Sequence, residues 1–402
     1  MLEKTLKPKV VLKFITLIVV VVLLSVLVSS LWEGKPEKKE HATPLVFHDS
    51  MTIAEFGNEN KLPGDLLKKT FHLQSKEDQQ KRLDSMNIPR NEIAFRVNKE
   101  RTLETEYESR NWVKIPLKFL LWMIFLTIVF YLMRREKITA NLRKIFYLTA
   151  IVVFGIILGS DPGPMGTIKD AIVLYGTQGL IFPPRMIAVT VFLLMVFLAN
   201  KFICSWGCQV GTLQDIIFRL NRNHRDTAGI MRQYRPPFLW TNTIRVAFFL
   251  IFTSVAFVLG TDLIDPIDPF KIYKPAAIGI GGAIFLGLIG IASLFVYRPW
   301  CQFVCPFGLI GWIVEKVSLF KIIVNHETCI GCRSCEKACP STVMGAILKQ
   351  DKMIPDCFAC GSCIEVCPTG SIQLAFGKRC RPPEGRFHQN PIRIEDTALP
   401  HN

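Results

Sequence analysis

A tandem cysteine pattern between Cys329 and Cys367 constrains this chain more than any other feature. The first run reads Cys-Ile-Gly-Cys-Arg-Ser-Cys-Glu-Lys-Ala-Cys-Pro and ends at Pro340. The second run, Cys-Phe-Ala-Cys-Gly-Ser-Cys-Ile-Glu-Val-Cys-Pro, begins at Cys357. Both have the C-x2-C-x2-C-x3-C-P spacing that ligates [4Fe–4S] clusters in bacterial ferredoxins. Neither a zinc site nor a disulfide scaffold needs this repeated triplet, so the pattern predicts iron–sulfur clusters.

The fourth cysteine of each run is predicted to ligate the cluster of the other run, as in two-cluster ferredoxins. The first predicted cluster has these four ligands: Cys329, Cys332, Cys335 and Cys367. The second has these: Cys339, Cys357, Cys360 and Cys363. Cysteines must stay reduced to ligate iron, so this part of the chain is expected to face a reducing compartment.

Apolar runs of transmembrane length account for the 50% hydrophobic residues of this 402-residue chain. Basic residues cluster beside these runs, as the positive-inside rule expects, so the net charge of +15 does not favour a nucleic-acid partner. The pattern predicts about six transmembrane helices, at 14–31, 113–133, 145–159, 186–203, 238–260 and 276–297. The segment from Ser160 to Pro184 is interpreted as a loop outside the membrane.

The predicted fold is an α-helical membrane protein with a C-terminal α+β ferredoxin-like domain. The predicted parts are an N-terminal membrane anchor (1–32), a small extracytoplasmic helical module (33–112), a membrane domain (113–325), a two-[4Fe–4S] domain (326–376) and a flexible tail (377–402). A cleaved signal peptide is the alternative for the first part, although the length of its apolar run favours an anchor. The charge pattern predicts a multi-pass membrane protein with the cluster domain in the cytoplasm.

Local signals in the small module predict two short helices. Thr52 and Glu55 have the spacing of a capping box, and Pro63 with Gly64 marks the turn between the helices. Helix-turn-helix proteins read DNA with such a unit, but the predicted extracytoplasmic position argues against that role.

The membrane domain contains a parallel repeat in which two C-x3-C pairs occupy matched positions. The i, i+4 spacing predicts that both cysteines of a pair lie on one face of a helix at the membrane edge. Converging pairs would form one four-thiolate site from Cys204, Cys208, Cys301 and Cys305. A further iron–sulfur centre, a mononuclear iron and a thiol–disulfide switch are the candidate redox roles, and buried structural cysteines are the alternative.

The combination of these C-x3-C pairs with the tandem cluster runs resembles the NapH/NosR family of membrane polyferredoxins. The resemblance covers about 113–376. Cys301, Cys305 and Pro306 match the family's second motif, and Cys204 with Cys208 matches the first, where Gln209 replaces the family's proline.

The resemblance implies electron transfer between the quinone pool or cytoplasmic donors and an extracytoplasmic reductase or its maturation system, of the nitrate or nitrous oxide type. It also implies membrane lipid and other respiratory electron-transfer subunits as partners. The segment 33–112 is too short for the flavin-binding domain of NosR proteins, so a flavin is not expected.

Two other functions are consistent with the sequence: a redox-sensing regulatory or assembly protein, and a self-contained quinol-oxidising enzyme. Four carboxylates near the outer helix ends are candidates for quinol chemistry: Asp161, Asp262, Asp265 and Asp268. Aspartates beside proline are more typical of caps and turns, so an electron-transfer subunit is favoured over a stand-alone enzyme.

Overall fold

The computed structural model describes residues 7–32, 45–48, 51–73, 77–86, 88–383 and 387. The predicted tail therefore falls largely outside the described residues, as do parts of the predicted anchor and small module. The chain divides into two units, one formed by Met1–Trp32 with Lys114–Asn402 and the other by Glu33–Val113. They are called the cysteine unit and the small unit below.

The helices and strands of the described residues are, in chain order, α1 (Pro8–Trp32), α2 (Ile53–Glu59), α3 (Gly64–Phe71), α4 (Arg90–Glu108), α5 (Lys114–Arg134), α6 (Ala140–Ala150), α7 (Pro164–Gln178), α8 (Pro183–Ala199), α9 (Gln209–Leu220), α10 (Phe238–Val258), α11 (Ile280–Phe295), α12 (Pro299–Phe303), α13 (Pro306–Glu315), β1 (Phe320–Val324), α14 (Ser334–Ala338), α15 (Val343–Lys349), α16 (Ser362–Glu365) and β2 (Ile372–Phe376). Two π-helical segments, Ile151–Ile157 and Ile203–Gly207, interrupt the α-helical runs. Short 3-10 turns lie at Glu77–Gln80, Leu83–Met86, Asp265–Ile267, Pro269–Tyr273 and Pro275–Ala277.

The small unit contains the predicted capping box. The backbone N–H of Glu55 donates to the Thr52 hydroxyl at 3.2 Å, and the backbone N–H of Thr52 donates to the Glu55 carboxylate at 2.8 Å. Both bonds satisfy N–H groups that the first turn of α2 leaves without helical partners. The helix pair α2 and α3 with its turn at Pro63 and Gly64 is confirmed as well.

The core of the small unit is centred on Phe56, which is completely buried. Its ring centroid lies 5.1 Å from that of Phe47 and 6.4 Å from that of Phe71. Aromatic groups at these separations add to the stability gained from burying their surface. Phe56 therefore holds three segments of the small unit together.

We predict that Phe56→Ala lowers the unfolding free energy of the small unit by about 3 kcal/mol, because it leaves a cavity in this core. Limited proteolysis of the full-length protein, followed at sites between residues 51 and 112, measures the effect. Phe95→Ala is the matched control, since Phe95 is 53% exposed on α4 of the same unit. Equal protease sensitivity of the two variants would contradict the prediction.

Four helices of the described residues are long and apolar enough to cross a membrane, judged by length and composition. They are Pro8–Val28, Lys114–Arg134, Ala140–Ile157 and Phe238–Val258. The other two predicted spans correspond to α8 and α11, whose 17 and 16 residues are fewer than the roughly 20 that usually cross a bilayer. The predicted total of six spans therefore stays a prediction.

The predicted single loop from Ser160 to Pro184 is wrong, because α7 occupies most of this segment. Pro164 stands at the first position of the helix, where its missing N–H costs nothing and its φ angle suits a helix. Gly179 ends the helix in the left-handed conformation, with φ of 65°. Helix α7 packs against α8, α10 and α13, so the segment belongs to the core of the cysteine unit.

Helix α9 lies at the centre of the cysteine unit. All of its residues from Gln209 to Arg219 are buried, including polar ones. It packs against α6, α11 and the π-helical segment Ile203–Gly207. A helix that is buried on every side needs internal partners for its polar groups, and these partners shape the site described below.

The chain from β1 to β2 forms a compact cysteine module within this unit. Its two strands pair antiparallel, with Ile322 opposite Leu374, and the three short helices α14, α15 and α16 lie between them in sequence. Arg379 donates from Nε to the carbonyl of Ile322 at 3.0 Å. Phe387 is also buried. These described residues of the predicted flexible tail are therefore packed on the module.

Candidate iron–sulfur centres

One cavity of the cysteine module is lined by four cysteines from both halves of the tandem pattern. Its thiols belong to Cys329, Cys332, Cys335 and Cys367. Phe387 closes part of the cavity wall. Gly331, between the first two cysteines, has φ of 74°, which other residues rarely adopt. The chain can therefore turn sharply enough to direct three neighbouring thiols into one space.

A second cavity is lined by the other four cysteines of the pattern. They are Cys339, Cys357, Cys360 and Cys363. Gly361 repeats the positive φ of Gly331, at 78°. The structure thus groups the eight cysteines in space as the spacing predicts, with one thiol in each group coming from the other run.

The two cavities are neighbours because two short helices each contribute to both. Cys335 lies in α14 and Cys339 directly follows this helix, while Cys363 lies in α16 and Cys367 follows it. Four residues of a helix advance about 6 Å. Since each helix lines one cavity and leads into the other, redox groups held in them would lie within direct electron-transfer range.

The donor set fits a [4Fe–4S] cluster. Four thiols surround each cavity, and thiolates are the ligands that such clusters prefer. Among the described residues, no three His, Cys, Asp or Glu side chains are arranged to hold a single metal ion.

Cys360 has a different electrostatic environment from its neighbours. Burial raises the pKa of the Cys335 and Cys357 thiols to about 12. Burial would raise the pKa of Cys360 as well, but the guanidinium groups of Arg219 and Arg143 override this effect and hold its pKa below the ordinary value. Arg143 also donates from Nε to the carbonyl of Cys360 at 2.9 Å. Positive charge is therefore fixed beside the second cavity.

A third group of cysteines lies among the helices of the cysteine unit. Its members are Cys204, Cys208, Cys301 and Cys305, all of them buried. Each of the four thiols is close enough to interact electrostatically with the other three. The predicted convergence of the two C-x3-C pairs is therefore present in the structure.

The predicted placement of each pair on one helix face is wrong. Cys204 lies in a π-helical segment and Cys301 in the five-residue helix α12, whereas Cys208 and Cys305 are the N-cap residues of α9 and α13. The thiol of Cys305 accepts the backbone N–H of Gly308 at 3.3 Å. A helix N-terminus favours negative charge, so this arrangement suits thiolates better than a continuous helix does.

The Cys208 end of α9 lies away from the cysteine module. The side-chain amide of Gln209 donates to the carbonyl of Ser160 at 2.9 Å, and the Tyr273 hydroxyl donates to the Gln209 carbonyl at 3.0 Å. At the other end of α9, Arg219 donates to the Ser362 hydroxyl of the cysteine module at 3.3 Å. Ten residues of helix span about 15 Å. Cys208 and Gln209 therefore lie that far along α9 from its contact with the module.

Direct contacts join this third group to the second cavity. The Trp206 indole N–H, between Cys204 and Cys208, donates to the carbonyl of Ala359 in the cavity wall at 3.1 Å. The Arg298 guanidinium lies 4.8 Å from the ring centroid of Phe358 in the same wall. No solvent layer separates these residues, so the two groups of thiols belong to one continuous core.

A buried carboxylate, Asp356, reinforces this junction from the module side. It pairs with Lys201 and, at 2.9 Å, with Arg245 of α10. The Arg245 side chain is fully buried and binds Asp356 rather than extending towards water. Glu315, at the end of α13, accepts the backbone N–H of Cys357 at 3.0 Å.

The comparisons with known proteins agree with this arrangement. Residues 321–368 match the family described as 4Fe-4S dicluster domain. Residues 181–226 and 278–325 both match the family described as 4Fe-4S binding domain, so each copy contains one C-x3-C pair. No solved structure matches the chain.

Three relatives show how much of the chain is shared. YccM of Escherichia coli (strain K12) is 30% identical over 168 residues, or 39% of this chain and 46% of the relative. The ferredoxin-type protein NapH of Haemophilus influenzae is 25% identical over 38% of this chain and 52% of its own length. The regulatory protein NosR of Stutzerimonas stutzeri is 26% identical over 37% of this chain and 22% of its own length. The chain thus spans about half of the first two relatives and less of the third.

The 4Fe-4S matches and the relatives named NapH and NosR support a polyferredoxin of the NapH/NosR type. The relatives of the chain are iron–sulfur electron-transfer proteins, and its four long apolar helices indicate a membrane protein. The family matches all lie within the cysteine unit, at 181–226, 278–325 and 321–368.

Reasoning from the sequence missed the buried charges of the polyferredoxin. Lys201 and Arg298 each stand three residues before the first cysteine of a C-x3-C pair, a regularity that was visible in the aligned repeat. Their carboxylate partners, Asp356 and Asp215, lie far away in sequence. No local pattern indicates those pairings.

We predict that Asp356→Asn destabilises the polyferredoxin by about 3 kcal/mol, because two buried cations lose their shared carboxylate. The midpoint of thermal loss of the visible absorbance in detergent measures the change. Asp351→Asn is the matched control, since Asp351 lies in the same module with an exposed side chain. If both variants lost their absorbance at the wild-type temperature, the pairing would have no stabilising role.

Proposed function

We propose that this polyferredoxin transfers electrons through the membrane along three adjacent groups of cysteines. Two [4Fe–4S] clusters are bound in the cysteine module, the first by Cys329, Cys332, Cys335 and Cys367 and the second by Cys339, Cys357, Cys360 and Cys363. The four thiols among the helices hold a further redox centre. When they are bound, the clusters and the further redox centre supply one-electron transfer. The protein positions them and excludes water.

The observation that carries this proposal is the continuity of the three cysteine groups. The helices α14 and α16 each connect the two cavities of the module. Trp206 and Arg298 connect the second cavity to the thiols between the helices. Electron transfer between protein-bound centres requires such close packing, whereas separate structural cysteines do not.

The third centre is supported by the match of both C-x3-C segments to one 4Fe-4S binding family. Cys208 and Cys305 are the N-cap residues of α9 and α13, and all four thiols are buried and interact with one another. An iron–sulfur centre fits these features better than a thiol–disulfide switch, because a switch needs only two of the four thiols.

The relatives support a proposal for the wider pathway. A ferredoxin-type NapH and a regulatory NosR are both relatives of this chain. We propose that electrons pass between the quinone pool or a cytoplasmic donor and an extracytoplasmic reductase, or its maturation system, of the nitrate or nitrous oxide type. In this arrangement the cysteine module faces the cytoplasm at the bacterial inner membrane, and other respiratory subunits are the partners.

We predict that the purified protein contains at least about eight iron atoms, the content of two [4Fe–4S] clusters. Cys360→Ser removes one ligand of the second cluster and should lower the iron content by about four atoms. Metal analysis with visible and EPR spectra measures the loss. Cys380→Ser is the control, because Cys380 is exposed and lies outside every motif. Colourless protein loaded with zinc would overturn the proposal.

We predict that Cys305→Ser blocks electron flow across vesicles while the clusters of the module stay reducible. The variant protein is reconstituted with its module facing outward, a membrane-impermeant reductant is added outside, and ferricyanide is enclosed. Loss of most of the ferricyanide reduction, with the EPR signals of the module retained, is the expected result. Cys380→Ser should transfer electrons at the wild-type rate. An unchanged rate in Cys305→Ser would show that the third cysteine group is not part of the pathway.

The second candidate function is redox sensing in regulation or assembly, which the name of the NosR relative supports. A sensing protein needs the clusters of the module but needs no electron path through the membrane. If wild-type vesicles reduced no enclosed ferricyanide although the module carried reducible clusters, sensing would be favoured over transfer.

A further inference from the structure

Two fully buried cations, Lys201 and Arg298, occupy equivalent positions in the two halves of the repeat. The first half reads Lys-Phe-Ile-Cys from Lys201 to Cys204, and the second reads Arg-Pro-Trp-Cys from Arg298 to Cys301. Both side chains have no exposed surface. A buried cation is costly unless it is paired, so its recurrence before each first cysteine calls for a physical reason.

Each cation reaches across to the cysteine segment of the other half. The Lys201 ammonium donates to the carbonyl of Gly308, which lies three residues after Cys305, at 2.6 Å. The Arg298 guanidinium donates to the carbonyl of Cys204 at 2.7 Å and to that of Ser205 at 3.2 Å. The two crossed contacts hold both cysteine segments around the same space.

The backbone at these positions is held in uncommon conformations. Arg298 has φ of 47°, and Asn200, directly before Lys201, has φ of 62°. Residues other than glycine rarely adopt positive φ angles, and they persist only where the surroundings enforce them. The fold therefore holds both side chains in place at some cost to the backbone.

The carboxylates near these cations do not neutralise them individually. Asp215 is shared between Arg298 and Arg219, and Asp356 is shared between Lys201 and Arg245. Arg219 also pairs with Asp226, and Glu315 lies close enough to Lys201 to interact with its charge. Lys201 interacts with the thiols of Cys204, Cys301 and Cys305, and Arg298 interacts with those of Cys204, Cys208 and Cys301. Together the two cations reach all four thiols.

We infer that Lys201 and Arg298 are a crossed pair of counter-charges that sets the reduction potential of the centre held by Cys204, Cys208, Cys301 and Cys305. This inference rests on the proposed function, in which these thiols hold a redox centre. Four thiolates around an iron–sulfur core carry net negative charge, and accepting an electron adds to it. Fixed positive charge stabilises the reduced form and raises the potential.

A redox titration of the purified full-length protein, followed by EPR, tests the inference. Lys201→Gln removes the charge but keeps an N–H donor for the Gly308 carbonyl. It should shift the midpoint potential of the third centre to more negative values, and Arg298→Gln should do the same. Lys201→Arg keeps the charge and should stay near the wild-type midpoint. The cluster of Cys329, Cys332, Cys335 and Cys367 serves as the internal reference and should not shift.

Lys169→Gln is the matched control, since Lys169 is also a buried lysine with carboxylate partners, Asp262 and Asp170, and no thiol beside it. If Lys201→Gln and Arg298→Gln kept the EPR signal of the third centre and its wild-type midpoint potential, this inference would be overturned and the proposed function would stand. If Lys201→Gln lost the third signal, its recovery in Lys201→Arg would support the inference, and continued loss would contradict it. A wild-type protein without any third signal would overturn both the third centre and this inference.

Discussion

The burial of charge between the cysteine module and the helices is the constraint on which the rest of the structure depends. Asp215 and Asp356 lie in this region with almost no exposed surface, and each binds two cations from different segments. A buried ion pair is stable only when its geometry is good and further hydrogen bonds satisfy its remaining groups. The carbonyls of Cys204 and Gly308 provide such bonds. The same contacts therefore stabilise the junction and position the thiols.

This arrangement explains why helix α9 is polar and yet buried on every side. Its Asp215 and Arg219 face the charged junction, and its first residue, Gln209, reaches the Ser160 carbonyl at the opposite end. The helix thus connects the far loops of the unit with the cysteine module. Gln209 also makes a hydrogen bond that proline, the residue expected there from the family resemblance, has no side-chain group to make.

The sequence predicted the thiol groups well because cysteine spacing is a local property. A C-x2-C-x2-C triplet can wrap a cubane only in a few ways, and the spacing of the two runs brings the distant fourth cysteine within reach. The capping box at Thr52 and Glu55 is equally local and is confirmed. The C-x3-C spacing was less informative, because it fits a regular helix as well as the π-helical and N-cap geometry that the structure contains.

What the sequence determined by itself is which thiols belong together and that long apolar helices accompany them. Only the tertiary structure decided where the charged residues go. Nothing local indicates that Arg245 of α10 binds Asp356, or that Lys201 contacts Gly308 of the other half. The physical reason is that a buried charge is paired with whatever the fold brings next to it. Such partners are distant in sequence, whereas a ligand triplet or a cap is enclosed within a few residues.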